Sequence, residues 1–369
     1  MAPTGPAAAV SMRREKDGAM NPVRLGVIGC GVIGRTHMRI AAESPLLAPV
    51  AVADVREAAA QEAAAQFGVA RTYSSADALL ADPEVEAVVL ALPTAGRANV
   101  ALRAFAAGKH VLIEKPIALN AAEVKQLIAA QGSLIAGCCS SRMRGLASAQ
   151  VAATFIATGA LGSLRVVRCR ALKAGTPPNT MPPPPWRLSR ALNGGGILVN
   201  WGCYDLDYLL GITGWTVRPR LALAQTWNVP AIFNAYAAPG SDAETHVAAL
   251  ITCNDGVVLS FERGEFIATA NDEAWQVLGD RGALRLQMTP GLNKTMVFDE
   301  ATSQSVVSHT IWEGDETWGM EHAAVLEDFA QAVRDEGAPR TSLAQALVVQ
   351  QITDAIYASA ASHRAVAVE

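Results

Sequence analysis

From Val23 onward the chain alternates short continuous apolar runs with longer segments whose apolar positions recur every three or four residues. The short runs, Arg24 to Ile28, Val50 to Ala53, Ala87 to Leu92, His110 to Ile113 and Leu134 to Cys138, predict strands buried on both faces. The periodic segments between them predict helices, and their ends carry matching chemistry. Ser75 caps a helix through Leu80 that Asp82-Pro83 stops, Gly108 ends the helix from Asn99, and Asn120 with Glu123 forms a capping-box start. Such alternation predicts an α/β domain over 21–143, built on a doubly wound parallel sheet.

Past Met143 the pattern changes. A helix over Ser148 to Ala157 leads to a strand over Leu164 to Leu172, and the prolines between Thr176 and Trp186 force a loop, because neither a helix nor a central strand could absorb them. From Arg218 to Gln287, β-rich runs are punctuated by Asn254-Asp255-Gly256 and Asp280-Arg281-Gly282, which predicts a mainly antiparallel sheet and an α+β domain over 144–369. Two helices, near His322 to Arg334 and Ser342 to Ser359, close the chain without any signal for the domain they join. Residues 1–20 read as a disordered tail. Arg13-Arg14 would suit an export signal, but Glu15, Lys16 and Asp17 stand where an apolar segment should follow, and Met20 could be an alternative start.

Composition narrows the function. The 369 residues suit two domains, and 51% hydrophobic against 17% charged residues gives each a core to bury. Thirty Lys and Arg against 34 Asp and Glu leave a net charge of −4, with no basic field for nucleic acid and no polybasic membrane surface. Apolar runs break well short of the ~18 to 20 residues a bilayer span requires. A small molecule is the expected partner. Cysteines at 30, 138, 139, 169, 203 and 253 show no metal-ligand spacing, so free thiols, a reducing cytoplasmic setting and no metal are expected.

Gly29-Cys30-Gly31-Val32-Ile33-Gly34 follows the first strand and opens a helix, and Asp54 ends the next strand twenty residues after Gly34. This is the dinucleotide fingerprint. Its glycines permit a tight turn and close approach of pyrophosphate, the helix N-terminus offers unpaired N–H groups, and the carboxylate accepts ribose hydroxyls. Asp54 disfavours a 2′-phosphate and so points to NAD, while Arg56, beyond Val55, could pair with such a phosphate and keeps NADP open. Lys115 lies just past a buried strand end, where parallel sheets place their ligand crevice; a solvated loop lysine is the plainer reading of position alone. His37, on the first helix, reads as a packed or capping histidine rather than a base.

LGVIGCGVIGRTH at 25–37, AGKHVLIEKPIALN at 107–120 and GGGILVNWGCYDLD at 194–207 together resemble the Gfo/Idh/MocA oxidoreductases, the glucose-fructose oxidoreductase and inositol dehydrogenase family, from about Val23 to the C-terminus. The resemblance implies a Rossmann domain followed by an α+β domain whose open sheet mediates homo-dimers or homo-tetramers. It also implies a hydride transfer between nicotinamide and a hydroxyl or keto carbon of a sugar, polyol, inositol or related cyclic alcohol. Lys115 matches the catalytic lysine of the Glu-Lys-Pro motif, beside Glu114. Asn200, Tyr204 and Asp207 stand where relatives carry Asp, His and Asp, and helical spacing would place all three on one face. Tyr204 then exchanges protons if a nearby charge lowers its pKa, Asn200 orients Tyr204 or the substrate, and Asp207 binds a hydroxyl, its other reading being a helix-surface or capping carboxylate. Leu92-Pro93-Thr94 should pass the nicotinamide ribose, with Arg97 altering the charge of that rim. Trp186 and Arg187, after the proline run, could reach substrate, although Arg187 also reads as a surface arginine. Tyrosine at 204 resembles the glucose-fructose oxidoreductase and dihydrodiol dehydrogenase branches. The departures at 200 and 204 keep a catalytically silent cofactor-binding regulator as the alternative.

Overall fold

The computed structural model describes residues 21–176 and 184–369; the tail over 1–20 and most of the proline loop lie outside the described residues. The first sheet comprises β1 (Val23–Ile28), β2 (Leu47–Ala53), β3 (Arg71–Tyr73), β4 (Ala87–Leu90), β5 (His110–Ile113) and β6 (Ala136–Cys138). Every pair is parallel, in the order β3-β2-β1-β4-β5-β6. Helices α1 (Val32–Glu43), α2 (Glu57–Phe67), α3 (Ala76–Leu80), α4 (Arg97–Ala106) and α5 (Ala121–Gln131) make the crossovers. The predicted caps are present: Ser75 accepts from the Ala78 N–H, and Asn120 accepts from the Glu123 N–H while Glu123 reaches back to the Leu119 N–H. β3 escapes the hydrophobic pattern because it is a three-residue edge strand with no fully buried side chain.

After β6 a 3-10 segment, Cys139–Gly145, leads to α6 (Ala147–Ala157), β7 (Leu164–Ala174), α7 (Arg190–Asn193) and a π-turn at Leu198–Gly202 that continues as α8 (Cys203–Ile212). Then come β8 (Pro219–Trp227), β9 (His246–Cys253), β10 (Val258–Ile267), β11 (Asp272–Gly279), β12 (Gly282–Leu286), β13 (Gly291–Ala301), β14 (Val306–Glu316), α9 (Met320–Arg334), α10 (Leu343–Ser362) and β15 (Val366–Ala367). The second sheet runs β14-β13-β12-β11-β7-β10-β9-β8-β15, and among the described strands only β7 and β10 in it pair in parallel. One face buries Val167, Cys169, Phe261, Trp275 and Val277 against α6, α8 and α10. The other face is open, with Leu223 and Leu250 each about half exposed.

The closing helices hold the two halves together. Val325, Leu326 and Phe329 of α9 complete the core on the α1 and α2 side of the first sheet. Leu343 and Ala346, in the first turns of α10, join the opposite core with α4 and α5, while Val349, Ile352 and Ile356 further along the same helix enter the core of the second sheet. Ser342 caps α10 in a full capping box with Gln345. One continuous helix thereby serves both domains and fixes the cleft between them.

Where β1 turns into α1, Gly29 has a positive φ of 101°, which a side chain would oppose. A Cβ on Gly34 would stand 1.8 Å from the Gly29 carbonyl oxygen, so α1 approaches its own turn as only glycine allows. Gly34→Ala is expected to cost about 1–3 kcal/mol of stability through overpacking. It should also weaken NADH binding, as read by denaturant unfolding and fluorescence titration on the same sample.

Candidate active site

A cavity of about 1080 Å³ runs from the fingerprint turn to the π-turn and α8. Gly29, Gly31, Val32, Ile33, Asp54, Val55 and Arg56 line one end, and Lys115, Arg142, Asn200, Trp201 and Tyr204 line the other. At the fingerprint end a Cβ on Gly31 would meet nothing within 4 Å, leaving open room over the N-terminus of α1. Asp54 accepts the Cys30 N–H at 2.8 Å and the Arg56 N–H at 2.9 Å, so its carboxylate is fixed at the turn with lone pairs left for hydroxyls. The room, the free helix N-terminus and the fixed carboxylate fit a dinucleotide. Cys30 contributes its backbone, because its side chain is buried under the turn. Arg56 is largely exposed, 3.6 Å from Asp54.

At the other end the charges are stacked in a chain. Glu114 is buried and accepts from His37 Nε2 at 2.7 Å, from Arg142 Nη2, and from the Lys115 N–H at 3.0 Å. Burial alone would raise its pKa, but Arg142 and His37 hold the carboxyl well below the usual range. Burial lowers the pKa of His37, consistent with a neutral ring that donates to Glu114. Arg142 then donates Nη1 to the Tyr204 phenol oxygen at 2.6 Å. Lys115, at the Lys115-Pro116 cis peptide, donates Nζ to the Asn200 backbone carbonyl at 3.0 Å and sits 5.1 Å from the centre of the Tyr204 ring. Burial, aided by the nearby Arg142 and Arg187, lowers the Lys115 pKa.

Several expectations are corrected by this geometry. Tyr204 is not acidified: burial pushes its phenol well above the usual value, and Arg142 only partly offsets that. Asn200 does not orient Tyr204, since its amide donates to the Arg187 carbonyl at 3.0 Å and accepts from Asn193 at 3.2 Å. An amide suits that place because a carboxylate could not donate to the carbonyl. Asp207 is fully buried away from the cavity, accepting from Arg144 at 2.6 Å, Ser140 at 2.7 Å and Thr341 at 2.6 Å. The π-turn breaks the spacing that would have put it beside Asn200. Arg187 is not free for substrate, being paired through both Nη atoms with Glu265 at 2.9 and 2.7 Å.

Two residues of the expected ribose rim are also structural. Thr94 is fully buried and donates to Asn193, and Arg97 is buried with its guanidinium on the carbonyls of Leu92, Glu114 and Pro116. Arg97 therefore staples the loop after β4 to the Glu-Lys-Pro segment while still lining the cavity. Leu92, Pro93 and Trp186 do line the cavity. His37 is packed, as its position suggested, yet its partner is Glu114. Together with Cys139 these two place three potential ligand atoms within 4.8 Å of one another, but an ion there would face the Arg142 guanidinium already seated on Glu114.

Arg142 is the group the sequence reading missed. Its signal was a charged residue in Ser141-Arg142-Met143, directly past the end of β6, on the strand-end side where parallel sheets bind ligands. Trp201, Trp318, Glu321 and His322 were missed as well, and all four line the cavity. The two last residues come from the start of α9, which no local pattern ties to the first sheet.

A dinucleotide-shaped cleft that ends on a half-buried lysine and a phenol held by arginine defines a Rossmann-fold oxidoreductase. Two family models match, the NAD-binding Rossmann fold of the oxidoreductase family GFO_IDH_MocA over residues 23–134 and its C-terminal alpha/beta domain over residues 154–368. The chain belongs to this oxidoreductase family, whose N-terminal domain binds NAD. The dTDP-3,4-didehydro-2,6-dideoxy-alpha-D-glucose 3-reductase of Streptomyces violaceoruber is 32% identical over 281 residues, 72% of each chain. Levoglucosan dehydrogenase of Pseudarthrobacter phenanthrenivorans is 26% identical, covering 93% of this chain and 97% of that protein. A solved levoglucosan dehydrogenase complex with NADH and levoglucosan shares the fold, with a TM-score of 0.79 at 22% identity over 94% of this chain and all of that one.

Asp207→Asn should lower stability by about 3–5 kcal/mol, because it leaves the buried Arg144 charge without its partner. The substrate KM of whatever protein folds should stay unchanged, which a steady-state assay beside a denaturation curve would measure.

Proposed function

We propose that this oxidoreductase interconverts a secondary alcohol and its ketone on a sugar, polyol or related cyclic alcohol, with Lys115 as the group that exchanges the proton. The observation that carries this is Lys115 itself: an amine whose pKa burial lowers, in the same cavity as the fingerprint turn and facing the Tyr204 ring. NAD bound at the fingerprint turn would supply the hydride acceptor at the carbinol carbon. In the oxidative direction the neutral Lys115 amine takes the hydroxyl proton as the C–H electron pair leaves, and in reduction the ammonium returns it. The Asn200 carbonyl orients the amine, which fixes where the reacting oxygen must lie.

Tyr204 serves as a protonated donor. Its oxygen is occupied by Arg142 from behind, and its own proton is free to point into the cavity toward the reacting oxygen. Such a donor stabilises negative charge that develops on that oxygen without itself ionising. Lys115→Met should lower kcat by about 10²–10⁴-fold, the ordinary worth of a general acid or base, while NADH affinity stays close to native. Full activity in that variant would refute the assignment. The oxidation rate should rise with pH as Lys115 loses its proton, with a midpoint below the ordinary 10.5, and the reduction rate should fall over the same range.

The chain is also proposed to self-associate through the open sheet face. Leu223 and Leu250 lie beside Ser260, Arg168 and Gln276 in one row across β8, β9, β10, β7 and β11. Exposed apolar side chains next to Arg170, Glu262 and Asp272 offer a patch that can meet its own copy across a twofold axis. Leu223→Lys with Leu250→Lys should shift sedimentation to a monomer. Unchanged sedimentation would remove this face as the contact.

A further inference from the structure

Four carboxylates stand in the cavity wall, and three have roles already described or partners of their own. Asp54 is fixed at the fingerprint turn, Asp77 is paired with Arg103, and Glu114 holds His37 and Arg142. The fourth, Glu321, lies in the first turn of α9 beside His322, which lines the same cavity. Glu321 is buried, and each of its oxygens has one partner. Oε2 accepts the Gly319 N–H at 2.8 Å, and Oε1 meets Nδ1 of His322 at 2.6 Å. Burial alone would raise the Glu321 pKa, but the hydrogen bond from His322 holds it below its ordinary value.

An ionised carboxylate can only accept, so the proton between these two groups belongs to Nδ1 of the imidazole. The neutral ring then carries its lone pair on Nε2, because the bond made by one nitrogen fixes the state of the other. Nε2 has no hydrogen-bond partner among the described residues, although the side chain is only 20% exposed. A carboxylate needed merely to close the turn into α9 is satisfied by the Gly319 N–H. Adding an imidazole to it places an acceptor of fixed tautomer in the cavity wall.

That acceptor is unlike its neighbours. Arg142 and Arg97 only donate, and both are engaged, with Glu114, Tyr204 and backbone carbonyls. The Asn200 amide is taken by Arg187 and Asn193. In the reaction proposed above, Lys115 and Tyr204 both address the reacting oxygen. His322 comes from α9, whereas Lys115 follows β5 and Tyr204 belongs to α8.

Resting on that dehydrogenase reading, we propose that His322 is a specificity-determining residue whose Nε2 accepts a hydrogen bond from a substrate hydroxyl other than the one oxidised. Glu321 is the positioning residue that holds the imidazole in the accepting tautomer. The substrate is thereby held at two separate oxygens, and the place of the second hydroxyl on the substrate decides which carbon is presented to Lys115. A site built to pair with a hydroxyl rejects the analogue that lacks it, because its own polar atom is then left unpaired.

The test is a deoxy and fluoro scan. Levoglucosan and myo-inositol, with each hydroxyl replaced in turn by hydrogen or by fluorine, are titrated calorimetrically into the NADH-loaded protein, where the reduced cofactor prevents oxidation during the measurement. Turnover with NAD is followed separately by nicotinamide absorbance. At one position other than the oxidised carbon, both replacements should weaken binding about tenfold, fluorine as much as hydrogen because fluorine cannot donate. In His322→Phe the parent ligand should bind as weakly as that deoxy analogue, with no further loss on either replacement and with NADH affinity native. The proposal is overturned if no position away from the oxidised carbon shows the loss in the native protein, or if the fluoro analogue binds as well as the parent. It is equally overturned if His322→Phe leaves the loss in place or lowers NADH affinity instead. A hydroxyl that depends on His322 in a ligand NAD never oxidises would support this inference while refuting the dehydrogenase reading, and turnover without such a hydroxyl would do the reverse.

Discussion

Glu114 is a carboxylate buried at the meeting of the two domains, where a lone charge would cost far more than the fold could supply. Its demand for partners organises the cleft. His37 comes from the first helix, Arg142 from the segment after the last parallel strand, and the Lys115 N–H from the next residue. Because Arg142 is drawn in by Glu114, its second arm is placed to hold Tyr204, which belongs to the other domain. One buried charge thus sets the position of a phenol carried by a helix of the other domain.

The same economy governs Lys115. Its stem rises beside Glu114 but its ammonium is turned away, to the carbonyl of Asn200 in the π-turn. That carbonyl lies inside the widened turn, and a lone pair of its oxygen takes the lysine. The amine is consequently held by a neutral acceptor, and burial, aided by the nearby Arg142 and Arg187, makes it give up a proton more readily than a surface lysine. Arg97, in the cavity wall, pins the Glu114 and Pro116 carbonyls and so holds the segment carrying Lys115.

Buried polar groups that look functional by position turn out to serve the frame. Asp207 ties the 3-10 segment, α8 and the residues before α10 through Ser140, Arg144 and Thr341. Glu244, also fully buried, accepts from the Gly196 and Leu198 N–H groups and from Tyr357, and so joins the triple-glycine segment to α10. A Cβ on Gly196 would stand 1.8 Å from the Glu244 carbonyl, so that segment needs glycine for its close approach to the residues before β9. The cavity proper is left to aromatic rings and a few paired charges.

The sequence by itself determined the parallel sheet, its fingerprint turn and the acid at the next strand end, because each is written in local periodicity and in residues within one βαβ unit. It also placed Lys115 beside a strand end, and Tyr204 on a helix whose start was read one turn too regularly. Tertiary structure alone decided which charges face the cavity. Arg142, Trp318 and His322 enter from segments far apart in the chain, while Arg187 and Asp207 are withdrawn from it by partners 78 and 134 residues away. Local patterns encode which face of an element is apolar; they carry no record of the partner a buried charge finds, because that partner is supplied by packing.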